Sequence, residues 1–331
     1  MLNHFCKGRK WFLVIVAGAL GTFSAAQAGY AQGTWTTLAP VSPSPTEGMT
    51  VGGVGQVIVG AYGFSSTLGG NTNQTRLYNI STDSWSTGAA APLPARADAA
   101  SGDTTHGGFL YVIGGGNSSA ALSDLERYDP VLDAWITLAP MPTARAGAAA
   151  AVIDDGIFVI GGRQSTSGPC SGGPYLGTVE KYDIDTDTWS MVAPLPNPRS
   201  DMAAVAHGGK IFVFGGCTGT ASAPSVTKEV DMYDPQTNTW TRLADMTTAR
   251  ASLVAGHSGD KVYAIGGTDG VSALTVNEVY DISSDSWSPN TPMTTPRQEA
   301  GVNSHGGRIY VVGGAQPAFG ASTDANEVFK P

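Results

Sequence analysis

Residues 210–216 read KIFVFGG, a short apolar stretch that ends in paired glycines. Four close versions stand elsewhere in the chain: FLYVIGG at 109–115, GIFVIGG at 156–162, KVYAIGG at 261–267 and RIYVVGG at 308–314. A degraded version, QVIVGAYG, occupies residues 56–63. These six copies indicate an internal repeat with a period of roughly 50 residues, the range in which arrays of small structural units occur.

A tyrosine or phenylalanine follows each copy, and in the first five copies a tryptophan stands seven residues later. The aromatic residues are Tyr78, Tyr128, Tyr182, Tyr233, Tyr280 and Phe329, and the tryptophans are Trp85, Trp135, Trp189, Trp240 and Trp287. The sixth copy ends in DANEVFKP, residues 324–331, before a tryptophan arrives. GTWTTLAP, around Trp35, closely matches DAWITLAP and DTWSMVAP, so we expect Trp35 to supply the strand that the tail lacks.

Each repeat divides into four short strands separated by turns rich in Asp, Asn, Pro and Gly. The first strand is built from small residues, as in AGAAAAVI, which suits a position where strands converge on an axis. Four strands per repeat in radial order predict an all-β fold, a six-bladed β-propeller. The N-terminal strand around Trp35 would complete the C-terminal blade as its outer strand and close the ring.

These signatures resemble the kelch repeat family, whose hallmark is an apolar strand, a double glycine and a separated Tyr and Trp. The resemblance covers about residues 33 to 331. It implies a kelch-type propeller, but it implies no single function, because kelch propellers include enzymes, sugar-processing proteins and protein-binding modules.

The first 28 residues have the pattern of a cleavable signal peptide, and residues 29–331 are predicted to form a single propeller domain. Lys7, Arg9 and Lys10 precede an apolar run, and small residues follow it at the spacing of a cleavage site after Ala28. An uncleaved anchor is the less favoured alternative, because the run of about 13 residues is shorter than a bilayer span. We therefore expect a secreted or periplasmic protein that does not associate with a membrane after cleavage.

Composition narrows the class of partner. The chain has 44 Gly, 20 Pro and only 14% charged residues, the balance of a turn-rich β protein. Its formal net charge of -9, with no cluster of Lys and Arg after the first ten residues, argues against a nucleic-acid partner. We expect a monomer that binds a carbohydrate or protein ligand.

Five arginines recur where the small-residue strand begins, and they have two interpretations. They are Arg96, Arg145, Arg199, Arg250 and Arg297. The kelch resemblance implies that they surround one mouth of the central channel, where they could bind an acidic ligand. The favoured interpretation is structural pairing with an acid two residues before each aromatic, at Glu126, Glu180, Asp231, Glu278 and Glu327. The first repeat supports it, because Thr46 replaces the arginine there and Arg76 replaces the acid.

Acidic residues stand two positions after the arginine in alternate repeats, at Asp98, Asp201 and Glu299. They could line the channel mouth, hold a cation, or pair with neighbouring arginines. We predict no metal site and no cofactor, because three separated blades make a poor chelate unless the channel is narrow. His106, His207, His257 and His305 precede tight turns on the opposite face, where a turn role is favoured.

The loops after the paired glycines are expected to carry specificity. Cys170 lies in the loop of the third repeat and Cys217 begins the loop of the fourth, and both loops are expected on one face. We therefore predict a disulfide between them if the distance permits. The aromatic residues of these loops, Tyr62, Phe64, Tyr175 and Phe319, are candidates for stacking against a sugar ring, although local packing is the commoner role.

The leading hypothesis is a binding module without catalysis, which uses these loops to bind a carbohydrate or a protein. The alternative is a sugar mutarotase or epimerase resembling the periplasmic sialic acid mutarotases, with Arg199 and Asp201, or Arg297 and Glu299, as the acid–base pair. A galactose-oxidase-like copper enzyme is the least favoured, because the histidines are expected on the opposite face from Cys170 and Cys217.

Overall fold

The structure, a computed structural model, describes residues 33–166, 170, 174–220, 222–316 and 321–331. The predicted signal peptide at residues 1–28 and the candidate Phe319 lie outside the described residues. Every regular element within them is a β-strand. Among these residues, no helix has the length and apolar character that crossing a bilayer requires.

The described strands form six four-stranded antiparallel sheets, the blades, and two small hairpins. The first strand of the described residues is β1 (Thr34–Thr37). Blade 1 contains β2 (Thr50–Val54), β3 (Val57–Ala61), β6 (Thr75–Asn79) and β7 (Ser84–Gly88), with the hairpin β4 (Phe64–Ser65) and β5 (Gly70–Asn71) in its loop. Blade 2 contains β8 (Thr105–His106), β9 (Phe109–Ile113), β10 (Leu125–Asp129) and β11 (Ala134–Leu138). Blade 3 contains β12 (Ala149–Ile153), β13 (Gly156–Ile160), β14 (Val179–Asp183) and β15 (Thr188–Val192).

The second half repeats this pattern. Blade 4 contains β16 (Ala203–His207), β17 (Lys210–Phe214), β20 (Val230–Asp234) and β21 (Thr239–Arg242), with the hairpin β18 (Cys217–Thr220) and β19 (Ala223–Val226). Blade 5 contains β22 (Val254–Ser258), β23 (Lys261–Ile265), β24 (Asn277–Asp281) and β25 (Ser286–Pro289). Blade 6 contains β26 (Gly301–His305), β27 (Arg308–Val312) and β28 (Asn326–Lys330), and β1 is its outer strand.

The ring closes as the sequence predicts. β1 pairs antiparallel with β28, and Trp35 stands opposite Phe329 with their ring centroids 4.9 Å apart. The Trp35 indole Nε1 donates a hydrogen bond of 2.9 Å to the carbonyl of Thr291, which follows the outer strand of blade 5. The first and last described strands therefore share one blade, and that blade is tied to its neighbour.

A recurring clamp joins each of the first five blades to the blade before it. In blade 1 the Tyr78 hydroxyl donates to Asp83, which also accepts from the backbone N–H of Ala39, while Trp85 Nε1 donates to the Ala39 carbonyl. The equivalent turn residues are Asp133, Asp187, Asn238 and Asp285, and all five turn residues have positive φ. No turn joins β28 to β1, so Phe329 has no such partner, which explains why a residue without a hydroxyl fits there.

The core is divided into six apolar clusters, each formed by the facing sides of two neighbouring blades. The inner strands converge on the axis and leave little space between them. A Cβ atom at Gly301 would lie 2.0 Å from Cγ2 of Val51 in the next blade. Close approach at the axis therefore explains the small residues of the inner strands, as predicted.

Blade 2 departs from this pattern. Its inner strand is reduced to two residues because Ser101 and Gly102 bend across the axis. Ser101 exchanges backbone hydrogen bonds with Ala148 and Ala150 of blade 3, and its hydroxyl donates to the Met202 carbonyl of blade 4 over 3.0 Å. A Cβ at Gly102 would lie 2.1 Å from the Ala150 oxygen, so only glycine fits there. The free space around this segment is only about 10 Å³.

Candidate functional site

Six residues, one from each blade, form a closed circle of backbone hydrogen bonds at the channel mouth on the face of the loops after the paired glycines. We call them the mouth ring: Gly48, Asp98, Gly147, Asp201, Ser252 and Glu299. The N–H of each donates to the carbonyl of the ring residue in the preceding blade over 2.7–3.2 Å, and Gly48 closes the circle by donating to Glu299. All six have φ between +50° and +61°, the left-handed region.

Small and acidic residues alternate around the mouth ring, and the small ones make room for the acids. A Cβ at Gly48 would lie 2.8 Å from Oδ1 of Asp98, and one at Gly147 would lie 2.5 Å from Oδ1 of Asp201. The three acids predicted to line the mouth therefore do so, with a glycine or serine between each pair. Positive φ is uncommon for Glu, so the backbone of Glu299 is strained where glycine would not be.

Arg163, which directly follows the paired glycines of blade 3, binds two of these acids. Its side chain is fully buried, Nη2 lies 2.8 Å from Oδ2 of Asp98, and Nη1 donates to Oδ1 of Asp201. Burial alone would lower the pKa of Arg163, but the negative charges of Asp201 and Asp98 raise it. The repeat pattern did not single out Arg163, although a charged side chain immediately after Gly-Gly was a visible signal.

Two carboxyl groups at the mouth have no ion-pair partner among the described residues, Glu47 and Glu299. Glu47 is only 8% exposed and exchanges two backbone hydrogen bonds with Phe64, of 2.8 and 2.9 Å. Burial and the charge of Asp98 raise its pKa to about 7. Burial, followed by the charges of Asp98 and Glu47, raises the pKa of Glu299 well above its usual range. The acids thus disfavour one another's ionised forms.

A cavity of about 750 Å³ opens above these acids. We call it the mouth cavity. Its walls come from the loops of blades 1, 2, 3 and 6 and contain Glu47, Asp98 and Glu299. Further polar lining groups are Asn71, Asn117, Ser118, Thr166 and Gln298, and Phe64 provides an aromatic side chain. Its volume lies in the range of small-molecule binding sites.

A disulfide stiffens one side of the mouth, as the sequence predicts. Cys170 and Cys217 are bonded, with their Cα atoms 5.1 Å apart. The backbone N–H of Cys170 donates to Oδ2 of Asp201 over 3.4 Å, and Cys217 exchanges two backbone hydrogen bonds with Ser200. The bridge therefore holds a loop against the acid that Arg163 binds.

The five recurring arginines lie inside the blades and not at the mouth, so the structural interpretation is confirmed. Their side chains are 0–1% exposed, and each binds the predicted acid. Arg250 is typical: Nη2 lies 2.5 Å from Oε2 of Glu278, and the guanidinium also donates to the carbonyls of Ala264, Gly266 and Val276. Burial lowers the pKa of Arg250 to about 10. None of Arg96, Arg145, Arg199, Arg250 or Arg297 is placed to contact a ligand, and that expectation is corrected.

Tyr62 also needs correction, because it is fully buried and does not face the mouth. It occupies the place of the first glycine of the pair, with φ of 62°, and its hydroxyl donates to Glu126 of blade 2. The Arg96 guanidinium stacks over its ring at 4.2 Å. Tyr175 is half-buried, and its hydroxyl donates to the Cys170 carbonyl over 3.1 Å, so its contact within the protein is to the disulfide loop.

The histidines lie on the face opposite the mouth ring. His106 and His257 border a separate cavity of about 400 Å³, and His207 Nε2 lies 3.0 Å from Oδ1 of Asp260. The copper-oxidase alternative needs histidines beside a free cysteine, whereas both cysteines at the mouth are bonded to each other. In the described part of the chain, no three His, Cys, Asp or Glu side chains are arranged to hold a metal ion.

Comparison with known families agrees with the repeat and the blades. The model described as the KLHDC2/KLHL20/DRC7 Kelch-repeats domain matches residues 137–314, more than half of the chain, and the Kelch motif model matches residues 99–142. The chain belongs to the kelch repeat family. Kelch propellers serve as binding modules or as enzymes, and kelch domains commonly mediate protein binding.

Individual relatives of this kelch protein are similar over part of their length. Kelch-like protein 25 of Xenopus tropicalis is 31% identical over 234 residues, which cover 68% of this chain and 37% of that protein. Kelch-like protein 23 of Homo sapiens is 31% identical over 191 residues, 58% of this chain and 31% of that protein. The alignments thus span about a third of these curated relatives.

A solved structure described as "Structure of YjhT" shares the fold of this kelch propeller. It superposes with a TM-score of 0.75 at 19% sequence identity and covers 88% of this chain and 96% of that one. At this identity the likeness concerns the fold alone.

The raised pKa of Glu47 predicts a pH-dependent effect of Glu47→Gln on stability. The carboxyl has a pKa of about 7 in the folded protein and about 4.5 when unfolded, so its contribution to stability falls as pH rises from 4.5 to 7. The variant should be more stable than the wild type by about 3 kcal/mol at pH 8 and by less than about 1 kcal/mol at pH 5. Burial sets most of this shift, and the negative charge of Asp98 adds to it.

Urea unfolding of both proteins at pH 5 and pH 8 measures the difference. An equal effect at the two pH values would show that Glu47 is not buried among other acids.

Proposed function

We propose that this kelch protein is a binding module that takes a carbohydrate into the mouth cavity. The observation that carries the proposal is the convergence of Glu47, Asp98 and Glu299 on one cavity of about 750 Å³. Carboxylate and amide oxygens accept hydrogen bonds from sugar hydroxyls, amide N–H groups donate to them, and Phe64 offers a face against which a sugar ring can stack. A concave site of this size suits a small polar molecule better than the flat surface of a protein partner.

The backbone of the mouth ring supports a ligand role for its acids. Glu299 has φ of 53°, a conformation that glycine adopts without strain. A costly side chain at a position where a glycine would serve the fold suggests that the side chain has a function.

We therefore predict that Glu299→Gly stabilises the protein and weakens carbohydrate binding. The variant should gain about 1 kcal/mol in free energy of unfolding, because glycine relieves the backbone strain. Its affinity for a ligand found on a glycan array should fall at least 10-fold. Calorimetric titration and urea unfolding measure the two effects.

Ser252→Gly is the matched control, since Ser252 is in the same ring with φ of 50° and does not line the mouth cavity. It should gain stability and keep its affinity. Absence of binding to any glycan on the array, or full affinity in Glu299→Gly, would contradict the proposal.

A sugar mutarotase or epimerase is the second candidate, and the pKa of Glu47 is the observation that favours it. A carboxyl group with a pKa of about 7 beside other acids has the protonation equilibrium that suits acid–base catalysis near neutral pH. Of the pairs suggested by the sequence, Arg199 and Arg297 are buried in the blades, so Glu47 and Glu299 take their place in this candidate. NMR of freshly dissolved sugars tests it: faster anomer exchange that Glu47→Gln abolishes would support it, and no acceleration with any sugar would oppose it.

We further propose that the protein acts outside the cytoplasm as a monomer. The disulfide between Cys170 and Cys217 supports an oxidising compartment, as does the predicted signal peptide.

A further inference from the structure

We propose that the mouth cavity selects a carbohydrate with a protonated amino group, an amino sugar, whose ammonium is held by Glu47 and Glu299. This inference rests on the carbohydrate-binding function proposed above and names the class of sugar.

The charges at the mouth do not balance within the described residues. Four carboxyl groups meet there, those of Glu47, Asp98, Asp201 and Glu299, and burial together with neighbouring carboxylates raises the pKa values of Glu47, Asp98 and Glu299. In the described part of the chain, Arg163 is the cation placed among them, and it binds Asp98 and Asp201. Glu47 and Glu299 are left without an ion pair in the described chain.

Glu47 lines the mouth cavity, and one of its carboxylate oxygens is buried without a hydrogen-bond partner among the described residues. Its side chain is more than nine-tenths buried, and its Oε2 atom makes no hydrogen bond to any described residue. A buried carboxylate oxygen without a partner is costly, and a donor that carries a positive charge satisfies it best. Because Glu47 and Glu299 both line the mouth cavity, a cationic ligand there would meet both.

The loops around the mouth supply no second cation of their own. Residues 167–173 and 317–320, which belong to the loops of blades 3 and 6, contain no Lys, Arg or His. Arg163 already lies between Asp98 and Asp201, and the described acids are not arranged to hold a metal ion. A ligand that carries a positive charge would therefore stabilise the ionised forms of Glu47 and Glu299, whose pKa values are raised by burial and by neighbouring acids.

The rest of the mouth cavity suits the sugar ring that would carry this ammonium. Asn71, Asn117 and Gln298 present amides, and Ser118 and Thr166 present hydroxyl groups, all of which can hydrogen-bond sugar hydroxyls. The same wall would repel a sugar acid, because its carboxylate would lie beside three protein carboxyl groups. The expected order of affinity is amino sugar, then neutral sugar, then acidic sugar.

Three β-1,4-linked disaccharides that differ only at carbon 2 test the proposal: cellobiose with hydroxyl groups, the glucosamine disaccharide with amino groups, and its diacetylated form. Titrated into the protein from residue 29 onward at pH 6.5, the glucosamine disaccharide should bind at least 10-fold more tightly than either of the others. Raising the salt concentration from 50 to 500 mM should narrow this preference, because part of it is electrostatic.

Two variants test where the ammonium binds, and a third variant serves as the control. Glu47→Gln and Glu299→Gly should each reduce the preference for the glucosamine disaccharide over cellobiose to less than about 3-fold, whereas Asp103→Asn, at the cavity on the opposite face, should leave it unchanged. Glu299→Gly is expected to be more stable than the wild type, so its loss of preference would not come from unfolding.

The outcomes separate this inference from the proposed function. Equal affinity for the three disaccharides would overturn the amino-sugar inference and leave carbohydrate binding in place. Binding of propane-1,3-diamine as tightly as the glucosamine disaccharide would also overturn it, because the sugar ring would then contribute nothing. Absence of binding to these disaccharides and to every glycan on an array would remove the proposed function as well.

Discussion

A chain that begins at Ala39 should unfold with a free energy about 4 kcal/mol or more below that of a chain that begins at Gly29. The shorter chain lacks β1, so Phe329 loses the indole of Trp35, 4.9 Å away, and β28 becomes an exposed edge. It also loses the hydrogen bond from Trp35 to Thr291, which ties blade 6 to blade 5. Urea unfolding followed by tryptophan fluorescence and circular dichroism measures the difference.

Two controls separate closure of the ring from the mere loss of terminal residues. Trp35→Phe keeps an aromatic ring against Phe329 and removes only the Nε1 donor, so it should cost about 1 kcal/mol. A synthetic peptide of residues 31–42 should restore part of the stability of the shorter chain by adding the missing strand. Equal free energies of unfolding for the chains that begin at Gly29 and Ala39 would show that β1 does not hold the ring closed.

The second large effect is expected from Glu278→Gln, which should lower the free energy of unfolding by about 3–5 kcal/mol. The substitution removes the negative charge that lies 2.5 Å from Nη2 of Arg250. The guanidinium, which has no exposed surface, is then left without its ion-pair partner. A buried charge without its partner is far more costly than a missing surface contact. Urea unfolding at pH 7 measures the loss.

Lys210→Met is the matched control, because it removes an ion pair of similar length at the protein surface. Lys210 Nζ lies 2.6 Å from Oδ2 of Asp234, but its side chain is 38% exposed, and its loss should cost less than about 1 kcal/mol. Arg250→Lys provides a second comparison: lysine cannot reach Glu278 and three carbonyl oxygens together, so it should be destabilising as well. Similar small losses for Glu278→Gln and Lys210→Met would contradict a buried, structural ion pair.

The sequence was sufficient to predict the blades and the closure of the ring. Repeated spacing shows which strands are equivalent, and the match of GTWTTLAP to later repeats predicted that the Trp35 strand completes the last blade, where the structure pairs Trp35 with Phe329. Pairing of the arginines with acids was also the favoured prediction, because blade 1 lacks both partners in their usual places. Covariation within one sequence is possible here because each repeat serves as a comparison for the others.

The site was less predictable, because it depends on contacts across the axis that no repeat encodes. The bonds of Arg163 to Asp98 and Asp201 join three different blades, and neither acid lies near Arg163 in sequence. Tyr62 was misinterpreted as a loop aromatic because the degraded copy QVIVGAYG hides its place in the glycine pair. The bend at Ser101 and Gly102 was also missed, although a glycine within a strand often marks close approach of another backbone.

Glu47 is another residue of the site that the repeat pattern could not predict. It precedes the mouth ring in blade 1, where the repeat has lost its arginine, so no pattern singled it out. Only the three-dimensional arrangement shows that it is buried beside Asp98 and has an acceptor without a partner. Glu47 lies at a position where one repeat differs from the other five.

The mouth ring is made entirely by main-chain atoms, and this has a consequence for how such a protein can change its ligand. The circle needs six left-handed residues but no particular side chain, and the chain already uses Gly, Asp, Ser and Glu in it. Glu299, which has no ion pair among the described residues, can therefore be exchanged without opening the circle, while Trp35 and the buried ion pairs, including those of Asp98 and Asp201 with Arg163, keep the blades together. The side chains that line the mouth and the contacts that hold the six blades together are therefore largely different. A few substitutions at the mouth can change the ligand while the blades keep their arrangement.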